Sequence, residues 1–212
     1  MRKLAAVSRP TVVWTKFSFA MLCCWPLFSW AADPWCSSRA LQLEWLPNNK
    51  AEPSVGSVQI KNPSGKIVQV LGSLENYGEN SESLRTSRDF NNDGCADLVV
   101  TSSVAAIGNE SIKAFLYNPR TRRFDVSQAL SGIGGLDIDP RDKNCVTGSW
   151  KGGAMDFYSA RHCWSKGKLV MKSEHSVSPL YNGQGELQCY QNVITDYRGG
   201  KKRKRTSCTK EF

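Results

Sequence analysis

The string Asp89-Phe-Asn-Asn-Asp-Gly-Cys-Ala-Asp97 carries the clearest chemistry in the chain. Oxygen-bearing side chains recur at its first, third, fifth and ninth positions, and Gly94 sits at the sixth. A hard cation such as Ca²⁺ takes roughly six to eight oxygens, and this spacing lets one short loop wrap them around it. Asp89, Asn91 and Asp93 would point inward, Cys95 would give its backbone carbonyl, and Asp97 would close the shell. Gly94 would allow the sharp bend. Mg²⁺ suits the loop less, because it keeps several waters. The twelfth position, where an EF-hand needs Glu, is Val100, so this is not an EF-hand. It is a loop that runs straight into a strand. The competing reading is a solvated Asx-rich turn without metal.

Other chemistry is sparse. Asp137, Asp139 and Asp142 cluster in Leu136-Asp-Ile-Asp-Pro-Arg-Asp142, as an acid/base pair or a second cation site would. Asp139 fits the first position of a turn directly, and that reading is preferred. Only two histidines occur, His162 and His175. That argues against a histidine metal site and against Ser-His or Cys-His catalysis. With no nucleophile–base pair, phosphate loop or cofactor fingerprint, the chain reads as a binding protein, not an enzyme. Turnover of a glycan by Asp137 and Asp139 ranks last. Trp150, Phe157, Tyr158 and Trp164 read as core and cross-strand packing more than as a sugar platform.

The net charge of +9 over 212 residues is unevenly placed. Residues 1–31 hold four basic groups and no acid, which leaves 24 basic against 19 acidic side chains. The stretch Arg198 to Arg205 holds six more basic groups and no acid. The rest of the chain is close to neutral. The run Lys201-Lys-Arg-Lys-Arg205 resembles a nuclear signal, a poor reading behind a secretory signal. A loop or strand at the end of a disulfide hairpin is preferred. The sharper reading is a contact for an acidic partner or an anionic envelope polymer. No aromatic residues interleave with it, so nucleic acid is not expected as a partner.

The N-terminus has a basic region ending at Lys16, an apolar run from Phe17 to Trp30, and Ser29 and Ala31 as small residues before a cut. The run is too short for a spanning helix and suits a signal peptide. Residues 1–31 are therefore expected to be removed, leaving 32–212 as one domain without membrane insertion. Six cysteines then remain, an even number that reads as disulfides in an oxidising compartment. None forms a CxxC pair, so zinc is not expected.

These residues must be positioned by strands. Short alternating runs dominate, and no long helical period appears. Strands are expected at Ala40–Trp45, Val55–Ile60, Lys66–Leu71, Asp97–Ser103, Ser111–Asn118, Phe124–Ser127, Cys145–Trp150, Met155–Trp164, Lys168–Ser173, Leu187–Tyr197 and Lys202–Thr209. An Asn/Asp-Pro turn recurs at Asn62-Pro63, Asn118-Pro119 and Asp139-Pro140, each between two strands. Further hairpins are centred on Ser165-Lys-Gly-Lys168 and Arg198-Gly-Gly-Lys201. Folding about Lys151-Gly-Gly brings Cys145 opposite or nearly opposite Cys163, and the Gly199-Gly200 turn brings Cys189 to Cys208. Elimination leaves Cys36 and Cys95 for the third pair, with no geometric argument of its own. The fold class is all-β, and the strand pattern suits a meander, a barrel or an irregular propeller. The hairpin 187–210 belongs to the same domain.

The Asp-x-Asn-x-Asp-Gly-x-x-Asp-Leu loop resembles those of FG-GAP (VCBS-like) and integrin-type propeller blades. A seven-bladed propeller is excluded on size. The stretch Asp89 to Val177 resembles one family more closely. It carries Asp89–Leu98, Thr101-Ser-Ser103, Asn109, Phe115-Leu-Tyr-Asn-Pro119, Phe124, Leu130-Ser-Gly132, Ile138-Asp-Pro140, Ser149-Trp150 and Gly167-Lys-Leu169. It is similar to periplasmic immunity proteins against peptidoglycan hydrolases injected by type IV secretion systems, which resemble lysozyme inhibitors. The resemblance implies an irregular, propeller-like assembly of β-hairpins with one calcium loop, and a periplasmic, calcium-binding inhibitor whose partner is a peptidoglycan hydrolase. It implies Ca²⁺ at Asp89, Asn91, Asp93 and Asp97, and a loop or aromatic that enters a muramidase-like cleft. Ser102, Ser103, Asn109, Tyr117 and Tyr158 are the candidates for partner contact. Where the family tends to have a Gly-rich loop with Tyr after the Ser-Ser pair, this chain has Val104-Ala-Ala-Ile-Gly-Asn-Glu-Ser-Ile-Lys113. The alternative is a non-catalytic envelope module that binds cell-wall polymer or a partner protein through Lys201–Arg205.

Overall fold

The computed structural model describes residue 36 and residues 41–211. The expected signal peptide lies outside the described residues. Among the described residues there are thirteen strands, in three antiparallel sheets, and one short helix. The first sheet is β1 (Gln42–Pro47), β2 (Val55–Lys61) and β3 (Ile67–Glu75), in that order. The second is β4 (Arg85–Arg88), β5 (Asp97–Val104), β6 (Glu110–Asn118) and β7 (Arg123–Val126). The helix α1 (Gln128–Ser131) follows, with Ser127 as its N-cap. The third sheet runs, from edge to edge, β13 (Lys201–Thr209), β12 (Leu187–Arg198), β11 (Lys168–Tyr181), β10 (Phe157–Ser165), β9 (Cys145–Lys151) and β8 (Asp137–Ile138). The all-β expectation holds. The strand pairings join into no closed barrel and no propeller ring among the described residues, so nothing supports the propeller-like refinement.

The second sheet lies between two apolar layers. Leu98, Val100, Phe115, Tyr117 and Phe124 on one face pack with Trp45, Val58, Ile60 and Leu74 of the first sheet. Val99, Ile112 and Ala114 on the other face pack with Leu130, Ile133, Leu136 and Val146. This explains why the first four residues of β5, Asp97 to Val100, are all buried: a strand covered on both faces loses the usual alternation. Gly148 on β9 is required by this packing, since a Cβ there would collide with the Ile133 side chain.

All eleven expected strands are present; β4 and the two-residue β8 are additions. The Asn62, Asn118 and Asp139 turns each close a hairpin, as do the Lys166-Gly167 and Gly199-Gly200 turns. Cys145 lies directly opposite Cys163 in the register, and the two are bridged. Cys189 lies diagonal to Cys208, whose direct partner is Gln191, and their Cα atoms are 5.6 Å apart. Cys36 is bridged to Cys95, the remaining pair. Three disulfides are those of a protein that folds in an oxidising, extracytoplasmic setting. No helix among the described residues is long and apolar enough to cross a membrane.

Candidate functional site

The Asp89–Asp97 loop joins β4 to β5 and is built from its own side chains. Asp89 accepts the backbone N–H of Asp93 at 3.1 Å and of Gly94 at 2.8 Å. Asp93 accepts the N–H of Cys95 at 2.9 Å, and its other oxygen accepts the Asn91 amide at 2.9 Å. Gly94 has φ of 87°, the left-handed bend the sequence requires of it. Asp97 is 1% exposed, and its two oxygens accept the backbone N–H groups of Phe90 at 2.7 Å and Tyr117 at 2.9 Å. Burial pushes its carboxyl up to about 7, against the two N–H groups that favour the charge. The neighbouring charges of Asp93 and Asp89 push it further up.

The donor chemistry fits a hard cation. Asp89, Asn91 and Asp93 offer oxygen at the accessible rim, and no ion pair among the described residues reaches Asp89, Asp93 or Asp97. Asp97 also has a role the spacing did not reveal: it holds the backbone at both Phe90 and Tyr117. The His, Cys, Asp or Glu ligand atoms that gather within 4.8 Å of one another among the described residues are instead those of Asp142, Cys145 and Cys163. The two sulfurs are joined in a disulfide, so they offer no thiolate.

The loop is also where the layers meet. Cys95 carries the bridge to Cys36. The Trp164 indole donates to the carbonyl of Phe90 at 2.6 Å, and Asn92 donates to Asn144 at 3.0 Å. A distortion here is therefore felt in β6, β10 and the β8–β9 turn.

A second assembly lies at two hairpin tips. The β5–β6 turn, Ala105–Asn109, meets the β9–β10 turn through one side chain. The Asn109 amide donates to the Lys151 carbonyl at 2.7 Å and accepts the Lys151 N–H at 2.8 Å. Ile107 on one tip is 37% exposed and Trp150 beside the other is 54% exposed. Trp150 lines two clefts. One, of about 350 Å³, is shared with Arg85, Ile107 and Asp137. The other, of about 470 Å³, is shared with Ile133, Tyr158, His162 and Met171. The Trp150 and Tyr158 rings are 5.3 Å apart, and Tyr158 donates to Glu174 at 3.1 Å.

The partner-contact candidates thus separate. Ser103, Asn109 and Tyr158 lie on or beside the tips. Ser102 donates within its hairpin to the Ser111 carbonyl at 3.1 Å. Tyr117 is corrected: it is 2% exposed, and its ring packs edge-on against Phe124 at 5.2 Å in the core. It offers no surface to a partner. Trp150 packs across the strands on Tyr158, its register partner, as expected, but at 54% exposed it is not part of the core. Its place on a strand with Gly148 was legible; its exposure was not.

Asp139 and Asp142 are held by arginines. Asp139 is fully buried and pairs with both Arg161 and Arg141, while Arg161 also reaches Asp142 at 3.2 Å. Burial works to raise the Asp139 carboxyl, but the Arg141 and Arg161 guanidiniums overcome it and hold it at about 2. Such a group keeps its charge and makes a poor proton donor. Asp137 is exposed and pairs with Arg88 at 3.3 Å.

No protein-family model matches the chain, and no curated protein matches it. Among solved structures it is similar to a type IV secretion system related protein from Xanthomonas. The TM-score is 0.51 and the identity 16%, over 79% of this chain and 90% of that one. The likeness is one of fold.

Proposed function

We propose that this is a periplasmic binding protein that occludes a peptidoglycan hydrolase, with Ca²⁺ as a structural ion in the Asp89 loop. The observation that carries the reading is the clamp of Asn109 on Lys151, which fixes two hairpin tips side by side and leaves Trp150 standing between two clefts. A preorganised aromatic ridge loses little freedom on entering an enzyme cleft. The fold likeness to a secretion-related protein and the sequence resemblance to immunity proteins support the same reading. The arginine pairing of Asp139 and Asp142 supports a non-catalytic role. Asp89, Asn91, Asp93 and the Cys95 carbonyl would hold the ion from the rim, and Asp97 would hold the loop around it. The ion would supply positive charge to a carboxylate cluster that has no basic partner among the described residues.

The test is a cell-wall clearing assay. Oxidised mature protein with calcium is titrated against several muramidases, including a secreted effector. Dose-dependent protection that is lost in Trp150→Ala, with the fold intact by circular dichroism, is the expected result. Protection unchanged in Trp150→Ala would move the contact elsewhere, and no protection by the wild type would sink the inhibitor reading.

A further inference from the structure

The basic run is not a loop. Lys201–Arg205 opens β13, the edge strand of the six-stranded sheet, and all of β13 is exposed. Its inner row of backbone groups pairs with β12 from Arg198↔Lys201 to Tyr190↔Thr209. Its outer row has no partner among the described residues.

We propose that this outer edge receives an extended acidic peptide segment as an added strand. The inference does not depend on the hydrolase reading. An open edge offers both N–H donors and C=O acceptors, and only another strand satisfies both. A polyanion without backbone amides would use the donors and be repelled by the carbonyls. Lys201, Arg203 and Arg205 project to one face of the ribbon, Lys202 and Lys204 to the other, so a paired strand meets cations on both of its faces. Two of the five are already neutralised within the sheet: Arg205 by Asp196 at 3.1 Å, and Lys202 by Glu174 at 4.0 Å. Lys201, Arg203 and Lys204 have no acidic partner among the described residues. The register is fixed, since the Cys189–Cys208 bridge pins the far end of β13 to β12.

Basic residues on an edge also discourage aggregation. The second sheet uses that device sparingly, with Arg85 and Arg88 on β4 and Arg123 on β7, and the edge strands of the first sheet carry no basic residue. β3, also an edge strand, exposes Ile67 and Val70 and has Glu75 as its one charge. The concentration of charge on β13 is better explained by selectivity: a second β13 or a basic strand is repelled, and an acidic one is admitted.

The test uses the oxidised mature chain and fluorescence anisotropy at low and physiological salt. The probe is a nine-residue peptide alternating Glu and Val. Its control is the same peptide N-methylated at alternate residues, which keeps the charge, removes the N–H donors that would pair and sets methyl groups against the edge. The expected result is binding of the probe, with affinity about tenfold lower for the N-methylated peptide and for K201Q/R203Q/K204Q. Equal binding of the N-methylated peptide would overturn the proposal. So would inorganic polyphosphate or anionic vesicles binding as tightly as the probe, which would make β13 a charge patch only. Absence of binding to the probe would also overturn it.

Discussion

Asn109 holds Lys151 by both of that residue's backbone groups, at 2.7 and 2.8 Å, across 42 positions of sequence. One amide side chain thereby sets the spacing of two hairpin tips. Asn109→Ala removes two exposed hydrogen bonds, a loss of about 1–2 kcal/mol in a denaturant melt. The functional effect is expected to be larger, because the tips lose their mutual order. The concentration for half-protection in the clearing assay should rise about tenfold or more. Unchanged protection would mean that the tips are not the contact surface.

Asp97 answers two backbone N–H groups from inside the fold. Asp97→Ala leaves Phe90 and Tyr117 with unpaired buried donors, at a cost of about 2–5 kcal/mol. Its burial also predicts a pH dependence. The folded carboxyl lies near 7 against an ordinary 3.8, so the folded state binds the extra proton. The stability from that proton is complete below the ordinary value and is lost as pH rises through about 7. In chelator, the melting temperature should fall between about pH 5 and pH 7.5, and Asp97→Asn should flatten that slope. A wild type with the same slope as Asp97→Asn would assign the dependence to other groups.

Calcium should act at the same place by supplying the missing positive charge. EDTA is expected to lower the melting temperature of the wild type and leave that of Asp93→Ala unchanged. The shift should grow with added calcium as binding to the folded state alone requires. A wild type that ignores EDTA would defeat the metal assignment while leaving the loop's hydrogen bonds as they stand.

The strands and turns were legible because their causes are local. Asn62, Asn118 and Asp139 each announce a turn, and β-branched alternation marks the strands beside them. The cross-strand bridge of Cys145 to Cys163 followed from one hairpin register. What escaped had distant causes. Nothing near Asp139 announces Arg161, 22 positions away, which turns a candidate acid into a buried ion pair. Tyr117 fits an exposed strand as well as a buried one until the first sheet covers it. The loop spacing gave Asp97 as a ligand but could not show that its oxygens brace Tyr117, 20 positions on.

That ion pair predicts acid sensitivity. Asp139 titrates near 2 instead of 3.8, so its stabilising charge is complete above the ordinary value and is lost as pH falls toward 2. Arg161→Met should narrow this acid-induced loss. It should also cost about 2 kcal/mol at neutral pH, less than for a wholly orphaned buried charge, because Arg141 still pairs with Asp139. Matched acid titrations by tryptophan fluorescence decide it: superimposable curves would remove Asp139 as the acid-labile group.

The last strands should prove separable from the core. β12 and β13 contribute no residue to either apolar cluster, and only Cys189 and Thr195 of the two strands are buried. Their order therefore rests on backbone pairing, on exposed or half-buried side-chain links such as Tyr197 to Glu174 and Arg205 to Asp196, and on the Cys189–Cys208 bridge, which spans 19 positions. Closing a loop of that size stabilises by about 3 kcal/mol through the unfolded chain. In the double variant Cys189→Ser/Cys208→Ser that stabilisation is lost locally. Amide protection in β13 and the adjoining part of β12 should fall by about a hundredfold, while β5 and β6 keep theirs. The main thermal transition should move little, because the layers around Val99 and Leu98 are untouched. A global melt that falls in step with β13 protection would show instead that the hairpin folds as one unit with the core.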